Sequence, residues 1–396
     1  MNKLTEEIDG GDHDLCNIQG VHYKTGKYIE VIINHDYIEA IKELDEIKGS
    51  NQVIAPGLVD IQINGYKGYD FNQKPLTKEE WKGVSSHLLD VGVTTFYPTI
   101  ITNSIENLTK LFKENMKVLN NLNMCNGMVG GFHLEGPYLS KKDGPRGAHE
   151  KKYIKEPNWE EFLNLQESAE GRIKIITISP EWDGAIDFIK KASNENVKVA
   201  IGHTAANSNQ IRNAVEAGAV LSTHLGNGAH VTLPRHPNYI WDQLAQSSLW
   251  ASVISDGHHL PANVLKVFNK VKQEKMILIS DSVALAGKEP GNYETAVGGE
   301  VTLTKDGRLH LKNSPNLLAG SAQNLLQGIQ NSVIEGIINI SDAINKASIY
   351  PASLMNLSVK EGLTVGAPAD LMLLDTQKAN WEVVKTIKSG NKYKGE

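Results

Sequence analysis

The chain has 396 residues, beyond the roughly 250 at which a single core usually stops growing, so a large domain with a smaller one, or two domains, is expected. Apolar residues make up 40% and charged residues 22%, which excludes a disordered chain; a net charge of −6 without a long basic run excludes nucleic acid as a partner and leaves room for a small anionic substrate. Two cysteines, Cys16 and Cys125, cannot build a disulfide framework, the polar segment Met1–Gly11 lacks the apolar core of a signal peptide, and no stretch approaches the ~18 apolar residues of a membrane span, so a cytoplasmic protein is expected.

The first fifty residues read as β-structure, with Tyr28–Ile33 as a β-rich run and Tyr23-Lys24-Thr25-Gly26 as the turn before it. Eight short apolar runs follow: 58–63, 94–99, 128–134, 173–179, 197–202, 220–223, 251–255 and 276–280. Amphipathic helical patterns separate most of them, among them 78–89, 103–122, 207–217 and 262–271. The first-to-second and sixth-to-seventh links need loops beside a helix. Eight strands alternating with helices predict an α/β (β/α)8 TIM barrel. A doubly wound open sheet would require Gly-x-Gly-x-x-Gly after the first run, and Asn64-Gly65-Tyr66-Lys67-Gly68 is not that motif. Beyond the eighth run, Tyr293–Leu311 predicts an inserted hairpin turning at Lys305-Asp306-Gly307, then a helix from about Ala322 to Ile337. The chain returns to strand at Ala367–Asp375. The two β-rich ends, 1–54 and 365–396, are expected to pair as a small β-sandwich domain, with the barrel spanning 55–364.

Eight of the thirteen histidines lie between His133 and His259. More informative is where polar residues fall against the runs. Glu135 ends the third, His203 the fifth, His224 the sixth and Asp281 the eighth. Barrel active sites form at the C-terminal ends of the strands, so all four should converge on one mouth. A carboxylate and two imidazoles are a common ligand set for a catalytic divalent metal, and a further carboxylate can serve as general base. His133 should share the face of Glu135, while His258-His259 falls just past the seventh run and so again at the mouth, with Asp256 expected to fix that loop.

Several segments occur together in a set order: Ala55-Pro56-Gly57-Leu58-Val59-Asp60-Ile61-Gln62-Ile63-Asn64-Gly65, His133-Leu134-Glu135-Gly136-Pro137, Gly202-His203, Thr223-His224-Leu225, Ser255-Asp256-Gly257-His258-His259 and Leu318-Ala319-Gly320-Ser321-Ala322. From about Gln52 to Asp375 the chain resembles the N-acetylglucosamine-6-phosphate deacetylases of the amidohydrolase superfamily. The resemblance implies removal of an acetyl group from N-acetylglucosamine 6-phosphate by a metal-activated water. It also implies one divalent metal ion per subunit, zinc first with iron or manganese as alternatives, on Glu135, His203 and His224. Many amidohydrolases place His-x-His on the first strand; Gln62 and Asn64 stand there in this chain, and no lysine sits at the C-terminal end of the fourth run to bridge a second metal, Lys174 being at the other end. Asp281 takes the role of general base and acid, and His149 that of the group hydrogen-bonded to the acetyl carbonyl. Asn227, Gly228, Arg235, His259, Leu318 and Ala319 correspond to substrate-binding positions, with Arg235 contributed across a homodimer interface.

The chain departs from the family pattern in three places: Gly226-Asn227-Gly228-Ala229-His230 after the sixth run, Ser280-Asp281-Ser282 around the base, and a loop between Glu135 and His149 about two residues longer, holding Gly144-Pro145-Arg146-Gly147. These touch the sugar more than the reaction. N-acetylgalactosamine 6-phosphate is therefore the nearest alternative substrate. A cyclic amidase or nucleobase deaminase is a further hydrolase reading, and a non-catalytic sugar-phosphate-binding protein is the alternative of another class.

Overall fold

A computed structural model of the chain describes residues 16–45, 51–295 and 299–393. The predicted polar segment Met1–Gly11 lies outside them.

The barrel strands form because each apolar run is flanked by turn-forming residues and buried on both faces, as parallel strands covered by helices must be. They are Leu58–Ile63, Val93–Ile101, Phe132–Glu135, Ile173–Ile178, Lys198–Ile201, Ala219–Ser222, Trp250–Ile254 and Met276–Ile279. All eight lie in sequence order in one sheet, parallel throughout. The first and last meet where Gln62 O accepts from Asp281 N at 2.9 Å and Ser282 O from Asn64 N at 2.8 Å. The seam that closes the barrel therefore runs through the residues that end its first and eighth strands.

Helix Lys78–Leu89 starts at a capping box between Thr77 and Glu80 and buries Trp81, Val84, Leu88 and Leu89, the stripe its periodicity predicts. The pattern at 103–122 resolves into helix Ile105–Leu119 and a short helix Asn123–Met128. The predicted third run loses its beginning to that second helix, because Gly130-Gly131 interrupts it and the strand starts only at Phe132. Within the barrel, Ile175, Leu221, Ile277 and Ile279 pack together with Ala352 and Leu354 of helix Ile349–Leu354. Ile175 shares its face with Thr177, Leu221 with Thr223, and Ile279 with Asp281, since alternate residues of a strand point the same way. An apolar plug thus fills the lower barrel, and polar groups occupy its upper end.

The two ends of the chain pair in one seven-stranded sheet, ordered Asn391–Tyr393, Glu382–Lys388, Leu371–Asp375, Val53–Pro56, Cys16–His22, Tyr28–Asn34, Tyr37–Glu43. Tyr37 at one end of this sheet also bridges Pro368, just before the strand Leu371–Asp375, so the sheet folds over itself. Ile18, Val31, Ile33, Ile54, Leu371 and Ile387 fill the space it encloses, as the sandwich reading requires. The inserted hairpin is a four-stranded antiparallel sheet, Gly291–Thr295, Gly299–Leu303, Leu309–Leu311 and Ser314–Leu318. Its last strand carries no readable alternation because most of its side chains face solvent. Among the described residues no helix is long and apolar enough to cross a membrane.

Candidate active site

Four strand ends converge at the mouth. Glu135 is the last residue of the third strand; His203, His224 and Asp281 each follow the end of their strands by two positions. These last three have positive φ, +48°, +30° and +45°. Left-handed backbone costs a non-glycine residue on the order of 1–3 kcal/mol, and such positions cluster at functional sites. Here it turns the chain sharply off the strand.

The His224 Nε2 atom lies 3.0 Å from both Glu135 Oε1 and His203 Nε2, and His203 Nε2 lies 3.2 Å from the same carboxylate oxygen. His149 joins from the loop after the third strand, its Nε2 3.3 Å from His203 Nε2. All four side chains are buried, and Glu135, His149 and His203 together have the spacing of a metal-binding group. Two ring nitrogens and a carboxylate oxygen facing one another at 3.0–3.2 Å repel through their lone pairs unless a proton or a cation lies between them. The electrostatics agree. Burial pushes the Glu135 carboxyl upward, but the two imidazoles outweigh it and hold it well below its ordinary range. Burial alone would depress His224, yet Glu135 raises it. His149, without a carboxylate partner, is driven down to about 3 by burial and by the neighbouring His203. The Nδ1 atoms of His149 and His224 are buried without partners, whereas Nδ1–H of His203 donates to the Pro145 carbonyl at 2.8 Å. That bond leaves the Nε2 lone pair of His203 free to ligate. The donor set of nitrogen and oxygen fits a divalent cation such as Zn²⁺, Fe²⁺ or Mn²⁺.

The first strand supplies what the apolar pattern alone concealed. Gln62 Nε2 donates to Glu135 Oε1 at 3.2 Å, and Asn64 Nδ2 donates to Asp281 Oδ1 at 2.8 Å. Burial pushes Asp281 up to about 6, with His224 opposing and Glu135 adding to the rise. Deeper in the strand, Asp60 accepts from the backbone of Gln62 and Ser280 and is raised by burial to about 7. The visible signal was Asp60, Gln62 and Asn64 at alternate positions in a run otherwise apolar. His133 does share the barrel interior, but its ring bonds Ile61 O and Thr177 Oγ1 rather than a member of the cluster.

The substrate-side residues divide. Asn227 hydrogen-bonds back to the His224 carbonyl, and Gly228 lies against the His203 ring. Asp256 holds His259, taking its Nδ1 at 2.7 Å and its backbone N–H at 2.9 Å. Leu318 and Ala319 end the inserted sheet, just before Ser321, which bridges to Ser282 beside Asp281. Arg235 alone is not drawn in; it is exposed on the loop after the sixth strand, where Val231 is 99% exposed. Lys174 is exposed at the opposite end of the barrel, bonded to Gly171 O.

The amidohydrolase family profile matches residues 53–393. A relative from Bacillus subtilis (strain 168), an N-acetylglucosamine-6-phosphate deacetylase, is 32% identical over 346 residues, 86% of this chain and 85% of the relative. Among solved structures, a mutant N-acetyl-D-glucosamine-6-phosphate deacetylase from Mycobacterium smegmatis, in complex with N-acetyl-D-glucosamine-6-phosphate, superposes with a TM-score of 0.83 at 25% identity, over 96% of this chain and all of that one. The Thermotoga maritima N-acetylglucosamine-6-phosphate deacetylase gives 0.81 at 26% identity, over 96% and 99%. With this ordered set of strand-end groups, the chain belongs to the amidohydrolase family, among its N-acetylglucosamine-6-phosphate deacetylases.

Proposed function

We propose that the protein hydrolyses N-acetylglucosamine 6-phosphate to glucosamine 6-phosphate and acetate. The observation that carries this reading is the meeting of Glu135, His203 and His224 at 3.0–3.2 Å with Asp281 beside them. Glu135, His203 and His224 would hold one divalent ion, since His224 meets both partners while His149 meets only His203. That ion would supply a Lewis acid able to acidify water and polarise a carbonyl.

The remaining work falls to the chain. Asp281, held by Asn64, accepts a proton from the attacking water as the water oxygen bonds to the acetyl carbon, and then passes it to the amine nitrogen as the amide C–N bond breaks. His149, kept neutral by burial, retains one N–H to donate to the acetyl oxygen. His259 is steadied by Asp256 to meet the sugar phosphate, with Asn227, Gly228, Leu318 and Ala319 lining its place. Arg235 is exposed on its loop, which fits a homodimer in which it reaches the neighbouring subunit's phosphate through its planar fork. Of the sandwich expected at 1–54 and 365–396, the described residues 16–45, 51–54 and 365–393 would serve as one unit beside the barrel expected at 55–364. Free, buried Cys125 agrees with a reducing, cytoplasmic setting. Elemental analysis tests the centre: His203→Asn and His224→Asn should each lose most bound metal and most activity, and stoichiometric metal in both variants would sink the assignment.

A further inference from the structure

His203 is held from two sides by one loop. Its backbone carbonyl accepts from Ser140 N at 2.9 Å, and its ring Nδ1–H donates to Pro145 O at 2.8 Å. The same loop then carries His149 into the cluster. A side-chain carbon at Gly147 would come within 3.1 Å of the His203 ring, and one at Gly228 within 2.7 Å. Both glycines have positive φ, +57° and +55°, so the loop and the segment after the sixth strand close on the ring from two directions. Gly144 in turn would place such a carbon 2.9 Å from the backbone of His230. Two of the three segments that depart from the family pattern, the loop before His149 and the stretch after the sixth strand, are thus packed against each other and around one ligand.

The loop has no regular secondary structure, and Asp143, Gly147 and Ala148 are exposed. Ser140 Oγ accepts from Lys142 N at the start of the loop, and one side chain spans the rest. Arg146 donates through Nη1 to the His149 carbonyl at 3.0 Å and through Nη2 to Asp143 Oδ1 at 2.8 Å, while its own N–H reaches Lys142 O. The guanidinium ties the residue that carries the oxyanion-side imidazole to the stem of the turn whose carbonyl fixes the His203 tautomer.

We infer that Arg146 is a positioning residue for the metal centre: it clamps the 140–149 loop so that Pro145 O keeps His203 in its Nδ1–H form and His149 in place. Partners that orient a ligating histidine typically change metal affinity or activity about 10–100-fold when lost. The inference rests on the proposed ligand set but reads out on metal affinity, without substrate.

The test is competition for Zn²⁺ between the folded protein and a chromogenic chelator, on wild type, Arg146→Met and Arg146→Lys, with thermal melting of each metal-free protein as the fold control. The methionine keeps the apolar stem and removes every donor; affinity should fall about 10-fold or more. Lysine keeps the charge but on a single donor nitrogen in place of the fork, and its affinity should fall between the two. Wild-type affinity, within about twofold, in Arg146→Met overturns the clamp. Should that variant not fold, Arg146→Lys decides on the same twofold line. His203→Asn in the same competition separates the two claims: if it loses Zn²⁺ while the Arg146 variants hold it, the clamp is wrong and the centre stands; if none loses it, the ligand set itself is wrong.

Discussion

Asn64 is where the account makes its most exposed quantitative commitment. Its amide donates to Asp281 Oδ1 at 2.8 Å in a partly buried site. A hydrogen bond to a charged group contributes about 1.5–3 kcal/mol, and it favours the ionised carboxylate over the protonated one. At 1.36 kcal/mol per pKa unit, deleting the donor should raise the Asp281 pKa by about 1–2 units, towards the lower figure if water enters the space left by Asn64→Ala. The sign follows from the role. A general base works only when deprotonated, so activity is lost as pH falls through its pKa, and a raised pKa moves that loss to higher pH. Before any cation is considered, Asp281 starts near 6. A bound cation would lower that value in both proteins, so the displacement between the two profiles is what counts. The assay is acetate release at saturating substrate from about pH 5 to 9 on metal-loaded protein, with Asp281→Asn as the limit, expected to be slower than wild type by about 10²–10⁴ on the plateau above the acid limb and to lack that limb. An acid limb in Asn64→Ala that coincides with wild type, or lies below it, would refute the assignment of Asn64 as the group that keeps Asp281 ionised.

Two further outcomes are expected. Arg235→Ala should raise KM strongly for the phosphorylated sugar and little for the plain one, because a charge-assisted contact of about 1.5–3 kcal/mol has no partner in the latter. Mixed with Asp281→Asn subunits it should partly recover activity, since a heterodimer holds one site with both residues intact; heterodimers as inactive as their parents would exclude the cross-subunit role. Asp60→Asn should stabilise the fold at about pH 8 but not near pH 5: a carboxyl raised from its ordinary range to about 7 contributes stability below its unfolded pKa and loses it as pH climbs through the folded one. Parallel melting curves at the two pH values, with no crossover between variant and wild type, would show that Asp60 is not titrating in that window.

The sequence was legible wherever periodicity and chemistry coincided. Helix Lys78–Leu89 appears with the bounds its pattern predicts, and all eight barrel strands are present, because burial on both faces leaves an unbroken apolar run between turn residues. Glu135, His203, His224 and Asp281 could be read as a site because each is a polar group just where such a run stops. What could not be read was who holds whom. Gln62 and Asn64 were visible as replacements for histidines, but that one grips Glu135 across the barrel and the other Asp281 at its seam depends on contacts 73 and 217 residues away in the chain. The Pro145 carbonyl on His203 left no trace at all, since a backbone acceptor has no side-chain signature. Strand Ser314–Leu318 was missed for the opposite reason: a solvent-facing edge imposes no alternation.

The central claim is hydrolysis of one amide on one phosphorylated sugar. Acetate release should be measured side by side on N-acetylglucosamine 6-phosphate, N-acetylgalactosamine 6-phosphate and unphosphorylated N-acetylglucosamine, with protein whose metal content has been quantified. The account predicts the highest kcat/KM for N-acetylglucosamine 6-phosphate, scaling with bound metal; no acetate from any of the three at full metal occupancy would contradict it.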